Sequence, residues 1–365
     1  MHTDVILVIV IITALAFDFT NGFHDTANVV ATSISTGAAA PRVAIAYASL
    51  LNFAGAFLSL KVAATVGKDV VDAAVITPTI VFAGLIGAIS WNLLTWYFGL
   101  PSSSSHALIG GVVGSAVAAV GTKAVLSDGL IGKVLAPAVI APVVAFLVAG
   151  LAITAAYLTV GRLRPGPVTR GYRLGQVASG GLLALAHGTN DAQKTMGIIT
   201  LALVANGNLS ADHFDVPVWV IISSASAIAL GTYSGGWRII KTMGTRIIKM
   251  DAAQGFSAQG AGAAVILASS HYGFPLSTTH VISGGVMGAG AGKRLSAVRW
   301  GVAGNIILAW IVTLPAAAAI GAATYGLTRA FGTGATGPLI VTVIGLGLAA
   351  VAFVRRLRRE APVAA

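Results

Sequence analysis

The chain has 365 residues, 56% of them hydrophobic and 9% charged, with mean hydropathy +0.89, 45 glycines and no cysteine. Soluble domains carry about 25% charged residues, so this composition excludes a disordered chain, a disulfide scaffold, zinc–thiolate or thiol chemistry and an ordinary soluble domain. A polytopic membrane protein remains, and its formal charge of +11 has to be located along the chain before it is read as a nucleic-acid footprint.

A membrane-crossing helix needs about 20 mostly apolar residues. That predicts spans at 5–36, 43–66, 75–98, 101–121, 134–160, 171–206, 217–235, 252–272, 275–292, 299–324 and 336–354. The first run has no basic n-region and no small-residue cleavage site, so it reads as a span rather than a cleaved leader. Runs 5–36 and 171–206 are too long for one straight crossing, and both hold polar residues in their middles. Stretches 75–121 and 252–292 read either as two crossings each or as re-entrant pairs. With single crossings, sixteen of the 22 basic residues share one face. They are Arg42, the groups 162–173, 238–249 and 293–299, and the terminal run 355–359. The positive-inside rule puts that face and the C-terminus in the cytoplasm of a cell membrane, and the N-terminus outside. The charge is therefore juxtamembrane. It marks the lipid bilayer as partner and no nucleic acid.

The chain also repeats itself. Residues 99–114, GLPSSSSHALIGGVVG, match 273–288, GFPLSTTHVISGGVMG, at eight of 16 positions. Residues 21–28, NGFHDTAN, pair more weakly with 187–194, HGTNDAQK, at a similar separation. The expected organisation is a first repeat at 1–160, a basic cytoplasmic linker at 161–170, a second repeat at 171–330 and an extra C-terminal helix with basic tail at 331–365. An odd number of crossings in the first copy inverts the second. The fold class is thus an all-α polytopic membrane protein of about 10–12 segments, with inverted-topology repeats and helices broken at the midplane, as in secondary transporters.

Asp25 and Asp191 fall at matching mid-span positions, and Asp18 lies in the first span. A charge at the bilayer centre costs about 2.5–3.5 kcal/mol on insertion scales, so a duplicated one implies a function. Asn21, His24, Thr26 and Asn28 surround the first aspartate; His187, Asn190, Gln193 and Lys194 surround the second. Gly22 and Gly188 would let the backbone unwind and offer carbonyls to a cation. Lys194, opposite Asn28, would replace a bound sodium ion, pair with an aspartate or bind an anion. Pro101 and Pro275 each precede a helix start rich in hydroxyls: Ser103, Ser104, Ser105 and Ser277, Thr278, Thr279. Two helix N-termini plus hydroxyls make an oxyanion site without arginine. His106 and His280, one turn in, would donate to the anion or carry a proton. Gly110–Gly114 and Gly284–Gly288 have packing spacing.

These two signature octapeptides and the serine-rich and threonine-rich P-x-S-x-x-H segments resemble those of the inorganic phosphate transporter (PiT) family over nearly the whole chain. The resemblance implies a phosphate symporter, homodimeric, with no covalent cofactor. Asp25, Asn28, Asp191 and Asn190 would fall on the coupling-ion motif, and the hydroxyl clusters near phosphate. Phe23–His24 and Gln193–Lys194 depart from the G-A-N-D-x-x-N pattern of sodium-coupled members. They resemble the bacterial low-affinity type, taken to be proton-coupled and to carry a neutral complex of phosphate with a divalent metal. The functional expectation is a proton-coupled phosphate importer working by alternating access, not an enzyme. A sodium-coupled symporter, a carrier of another oxyanion and an intramembrane lipid-phosphate hydrolase using a serine with His106 or His280 are the alternatives.

Overall fold

The structure, a computed structural model, describes residues 2–210 and 214–347. The end of the last expected span at 348–354, the basic run 355–359 and Asp212 lie outside the described residues. Among the described residues the protein is helical, apart from an isolated bridge between Val71 and Val125.

The first copy runs through α1 (His2–Ser35), α2 (Pro41–Gly55), α3 (Lys61–Lys68), α4 (Pro78–Phe98) and α5 (Ser104–Val120). A short α6 (Ser127–Gly129) continues through a π turn into α7 (Ala136–Val160). The second copy has α8 (Pro165–Ala205), α9 (Val218–Ser234), α10 (Trp237–Lys241), α11 (Ala252–His271), α12 (Thr278–Ala291) and α13 (Trp300–Ala330). A short apolar α14 (Thr336–Gly347) follows. Among the described residues, four stretches are long and apolar enough to cross a membrane: Val5–Ser35, Pro78–Phe98, Ser127–Val160 and Trp300–Ala330. The pair Val218–Ser234 and Trp237–Arg246, bent by 60°, qualifies as a unit.

Three expectations change. The two overlong runs, α1 and α8, are single unbroken helices of 34 and 41 residues. Gly22 and Gly188 do not unwind them. A Cβ on Gly22 would lie 2.3 Å from the Ile228 carbonyl oxygen, and one on Gly188 2.1 Å from that of Asn52. Both glycines admit a neighbouring helix, and the carbonyls around them stay in the helix ladder. The breaks come instead between α2 and α3, between α9 and α10, and at 99–103 and 272–277. Second, the expected linker 161–170 shrinks to 161–164, because Pro165 occupies the first turn of α8, where its missing N–H costs nothing.

Third, 101–121 and 275–292 do not form full spans. Helix α5 has 17 residues and α12 has 14. At 1.5 Å per residue they reach about 26 and 21 Å, short of a hydrocarbon core of about 30 Å. Each is the return arm of a hairpin, with α4 and α11 as the first arms. The two tips share one turn. Gly99 (φ 66°) and Gly273 (φ 78°) take the left-handed conformation that ends the first arm. Leu100 N–H then bonds Thr95 O at 2.9 Å, as Phe274 N–H bonds Ser269 O at 2.9 Å. Ser103 and Ser277 cap the return arms, accepting from the N–H of His106 and His280 at 3.1 and 3.3 Å.

The copies interlock. Helix α5 packs on α13 and α12 on α7, while α1 packs on α9 and α2 on α8. The glycine spacings are the reason, as expected: Cβ atoms on Gly110 and Gly114 would strike carbonyls of Leu314 and Ala318, and those on Gly284 and Gly288 would strike Pro142 and Phe146. At the start of α11, Asp251 closes a capping box with Gln254 and accepts from the Tyr157 hydroxyl at 2.7 Å and Lys293 at 3.1 Å. Its partial burial alone would raise the carboxyl, but the Gln254 N–H, Tyr157 and Lys293 outweigh that and hold it below its ordinary value.

Two apolar cores result. The first takes the N-terminal part of α1 from Ile6 to Phe17 and the C-terminal part of α8 from Ala192 onward. The second takes Ala27–Ala31 of α1 and Leu183–Ala186 of α8. The polar segments 18–26 and 187–191 lie at the seam between them.

Candidate ion and oxyanion site

Asp25 and Asp191, fixed near the middles of α1 and α8, face one another across this seam. Asp25, Asp191 and His187 offer ligand atoms that all lie within 4.8 Å of each other, and all three residues are buried. The tips of both hairpins close over Asp25. Its carboxylate accepts from Ser104 at 2.7 Å, Thr278 at 3.3 Å and Thr279 at 3.5 Å. His24 Nδ1 lies 2.7 Å from its other side, and His24 Nε2 is within reach of Thr95 and Ser102. Asp191 is held by Lys194 Nζ at 2.7 Å and Asn21 at 3.3 Å, with His187 Nε2 at 3.5 Å.

The partners repeat as the sequence does. Asn28 donates to Thr279 at 2.9 Å. Lys194, its counterpart in the second signature octapeptide, donates to Ser105 at 2.5 Å, and Ser105 is the counterpart of Thr279 at the first hairpin tip. Each signature helix therefore grips the hairpin tip of the other copy. Lys194 makes a further bond to the Leu276 carbonyl at 2.7 Å, and Ser105 also donates to that oxygen at 3.1 Å. The two tips are thereby tied to each other. Two carboxylates stand here against one ammonium, and two helix N-termini with their hydroxyls point at the same volume.

His187 is oriented from outside the signature. Asn52 donates to Thr232 at 2.8 Å, which leaves its Oδ1 to accept from His187 Nδ1 at 3.1 Å. Nε2 then faces the two carboxylates, 3.5 Å from Asp191, and is an acceptor whenever the ring carries only the Nδ1 proton. Three acceptors face one another, an arrangement that takes up a proton or a small cation.

Most of the expected residues meet at this point: Asp25, Asp191, Asn28, His24, His187, Lys194, Ser104, Ser105, Thr278 and Thr279. Ser103 and Ser277 serve as caps. Three do not reach the seam. Asn190 points to the base of the second tip, donating to Ser270 at 2.9 Å and to the Phe274 carbonyl at 3.1 Å. His106 and His280 sit on the far side of their helices, because each lies about 200° around the axis from Ser104 or Thr278. Their rings touch edge to face at 4.7 Å, and His280 stacks on Trp310 at 4.2 Å. They line an apolar cavity of about 610 Å³ between α7 and α13. Among the described residues neither ring hydrogen-bonds a hydroxyl, which removes the serine–histidine pairing of the hydrolase alternative.

Residues given no site role from the sequence complete the site. Asn52 reads there as a helix–helix amide, and it does bond Thr232 of another helix. Thr95 is a lone hydroxyl, and Ser102, the first of the serine run 102–105, bonds it at 2.8 Å. The Leu276 carbonyl carries no side-chain signal at all. Asp18, which the sequence shows in the span without a role, is fully buried one turn before Asn21. Thr195 and Asn21 stand beside it without closing a hydrogen bond.

A sequence profile of the phosphate transporter family matches residues 21–170 and again 163–321. The chain is 54% identical over 327 residues to a Mycobacterium bovis protein named "Probable low-affinity inorganic phosphate transporter", spanning 90% of this chain and 78% of that one. A Rhizobium meliloti protein of the same name is 47% identical, spanning 88% of this chain and 96% of that one. A solved structure named "The sodium-dependent phosphate transporter" shares the fold, with TM-score 0.79 and 24% identity over 89% of this chain and 99% of that chain. The chain belongs to the phosphate transporter family, whose members are transporters and not enzymes.

Proposed function

We propose that the chain is a secondary active importer of inorganic phosphate, driven by protons and working by alternating access between two inverted copies, residues 1–160 and 171–330. The substrate is phosphate or its neutral complex with a divalent metal. The observation that carries this reading is the convergence of both hydroxyl-bearing hairpin tips on Asp25, beside Asp191 and His187. Helix N-termini and hydroxyls attract an oxyanion, while two carboxylates against one ammonium repel it. An anion therefore binds well only together with positive charge. That charge is also what import requires, since each negative charge entering a cytoplasm at −100 mV is opposed by about 2.3 kcal/mol. A proton shared among His187 Nε2, Asp25 and Asp191 supplies it at the right place and leaves with the phosphate. Sodium dependence is in the name of the solved relative; in this chain an imidazole and an ammonium stand beside the carboxylates and support a proton instead.

The basic face supports a cytoplasmic C-terminus in a cell membrane, and the family resemblance supports a homodimer. Phosphate uptake by the purified protein in vesicles tests the coupling. An inward proton gradient should drive uptake without sodium, and Asp25→Asn should cut proton-driven uptake at least about tenfold, because hydrogen bonds to a charged group are worth about 1.5–3 kcal/mol. Uptake that collapses without a sodium gradient and ignores pH refutes the proposal.

A further inference from the structure

We infer that the Lys194 ammonium is a tethered substitute for an alkali cation, and that this residue sets the ion specificity of the transporter. The inference rests on the proton-coupled reading above and extends it.

Lys194 is among the largest fully buried side chains of the protein. Its ammonium has three N–H donors, and all three are used. The acceptors are a carboxylate oxygen of Asp191 on the same helix, the hydroxyl of Ser105 at the first tip and the carbonyl of Leu276 at the second, at 2.5–2.7 Å. An all-oxygen set of carboxylate, hydroxyl and main-chain carbonyl, the last two from hairpin tips where helices break, is the kind that transporters use to hold sodium. Here a compact point charge on a flexible stem fills it. With no donor left over, Lys194 is not free to bind an anion directly without giving up one of these bonds.

The repeat shows that the charge is an addition rather than a requirement of the packing. The matching residue of the first copy is Asn28, which reaches the matching hydroxyl, Thr279, with a neutral amide. One copy thus makes this contact without a cation and the other supplies one covalently. The consequence is energetic. A cation that cannot leave cancels Asp191, yet contributes nothing to the driving force. Coupling is left to Asp25 and His187.

The test is Lys194→Asn, which gives the second copy the residue of the first and opens the cradle. Phosphate uptake under a proton gradient is compared in sodium and choline buffers of equal osmolarity. The unsubstituted protein should work equally in both. The variant should lose at least about tenfold in choline, as when one partner of a buried pair is removed, and regain most of it in sodium. Sodium, but not choline, should raise the thermal midpoint of the purified variant and leave that of the parent unchanged, since only a bound ion stabilises the folded state. Adding Asp191→Asn should abolish both responses. A variant equally active in both buffers overturns the inference, as does one inactive in both whose midpoint ignores sodium. The midpoint also gives the answer if the variant folds poorly. A requirement for sodium in the unsubstituted protein would instead overturn the proton-coupled reading itself.

Discussion

Asp18 and Asp25 are two turns apart on one stripe of α1, yet one is saturated with donors while Thr195 and Asn21, the donors beside the other, fall outside strict hydrogen-bond geometry. Four hydrogen-bonding side chains converge on Asp25. Both oxygens of Asp18 are buried without a partner among the described residues. An unsatisfied buried polar group costs about 1–3 kcal/mol, and an apolar replacement of similar shape removes that cost. Proteins keep such groups where activity needs them. Asp18→Leu is therefore expected to raise the thermal midpoint of the purified protein while lowering phosphate uptake. A lowered midpoint would mean that Asp18 has a structural partner, and unchanged uptake would remove it from the site. What the sequence disclosed at this scale follows from the same physics. Asp25, Asp191 and Lys194 were legible because a charge in an apolar span is costly wherever it points. Asn52 and Thr95 were not, because a lone amide or hydroxyl in a span is more often a helix–helix contact, and only the fold brings Asn52 to His187. His106 and His280 misled because duplication marks them as strongly as it marks the aspartates, while their side of the helix depends on where the cap falls.

At the scale of elements, the short return arms hold the site together, and small residues let them do it. A Cβ on Gly288 would lie 2.0 Å from the Phe146 carbonyl oxygen, and α7 cannot retreat without opening the second core. Gly326, inside α13, has nothing within 4 Å of the same added atom. Overpacking typically costs about 1–3 kcal/mol, whereas glycine in an open helix position is worse than alanine by about 0.5–1 kcal/mol. Gly288→Ala should lower the thermal midpoint and Gly326→Ala should raise it slightly, measured on the purified protein. If both shifts had one sign, the close approach of α12 to α7 would be wrong. The glycine spacing of these arms was legible as packing, and so was the repeat of the arms. Their length was not. An apolar run long enough for a crossing serves equally well as a turn plus a shorter return arm. Only the caps at Ser103 and Ser277, just past Pro101 and Pro275, fix where the helix starts.

For the whole molecule, the proposed alternating access requires two interlocked copies to expose one site to two sides. Each hairpin is packed against the last long helix of the other copy, so neither copy moves as a body apart from its partner's hairpin. A rocking motion must slide α5 with α13 and α12 with α7, opening one tip while the other stays shut. That requires the two return arms to lead to opposite faces. Each arm ends in a one-turn helix, Thr122–Ala124 after α5 and Leu295–Ala297 after α12, and Thr122 and Ser296 are matching exposed positions. Treating the hairpins as re-entrant removes an even number of crossings from each copy, so the basic loops keep the face assigned from the sequence. Because the chain has no cysteine, a single thiol can be read without background. Thr122→Cys should react with a membrane-impermeant maleimide on intact cells, and Ser296→Cys only after the membrane is opened. Labelling of both from one side would rule out inverted copies. Labelling from opposite sides with the order reversed would keep the inversion and turn the protein over, placing the sixteen basic residues outside, against the positive-inside rule.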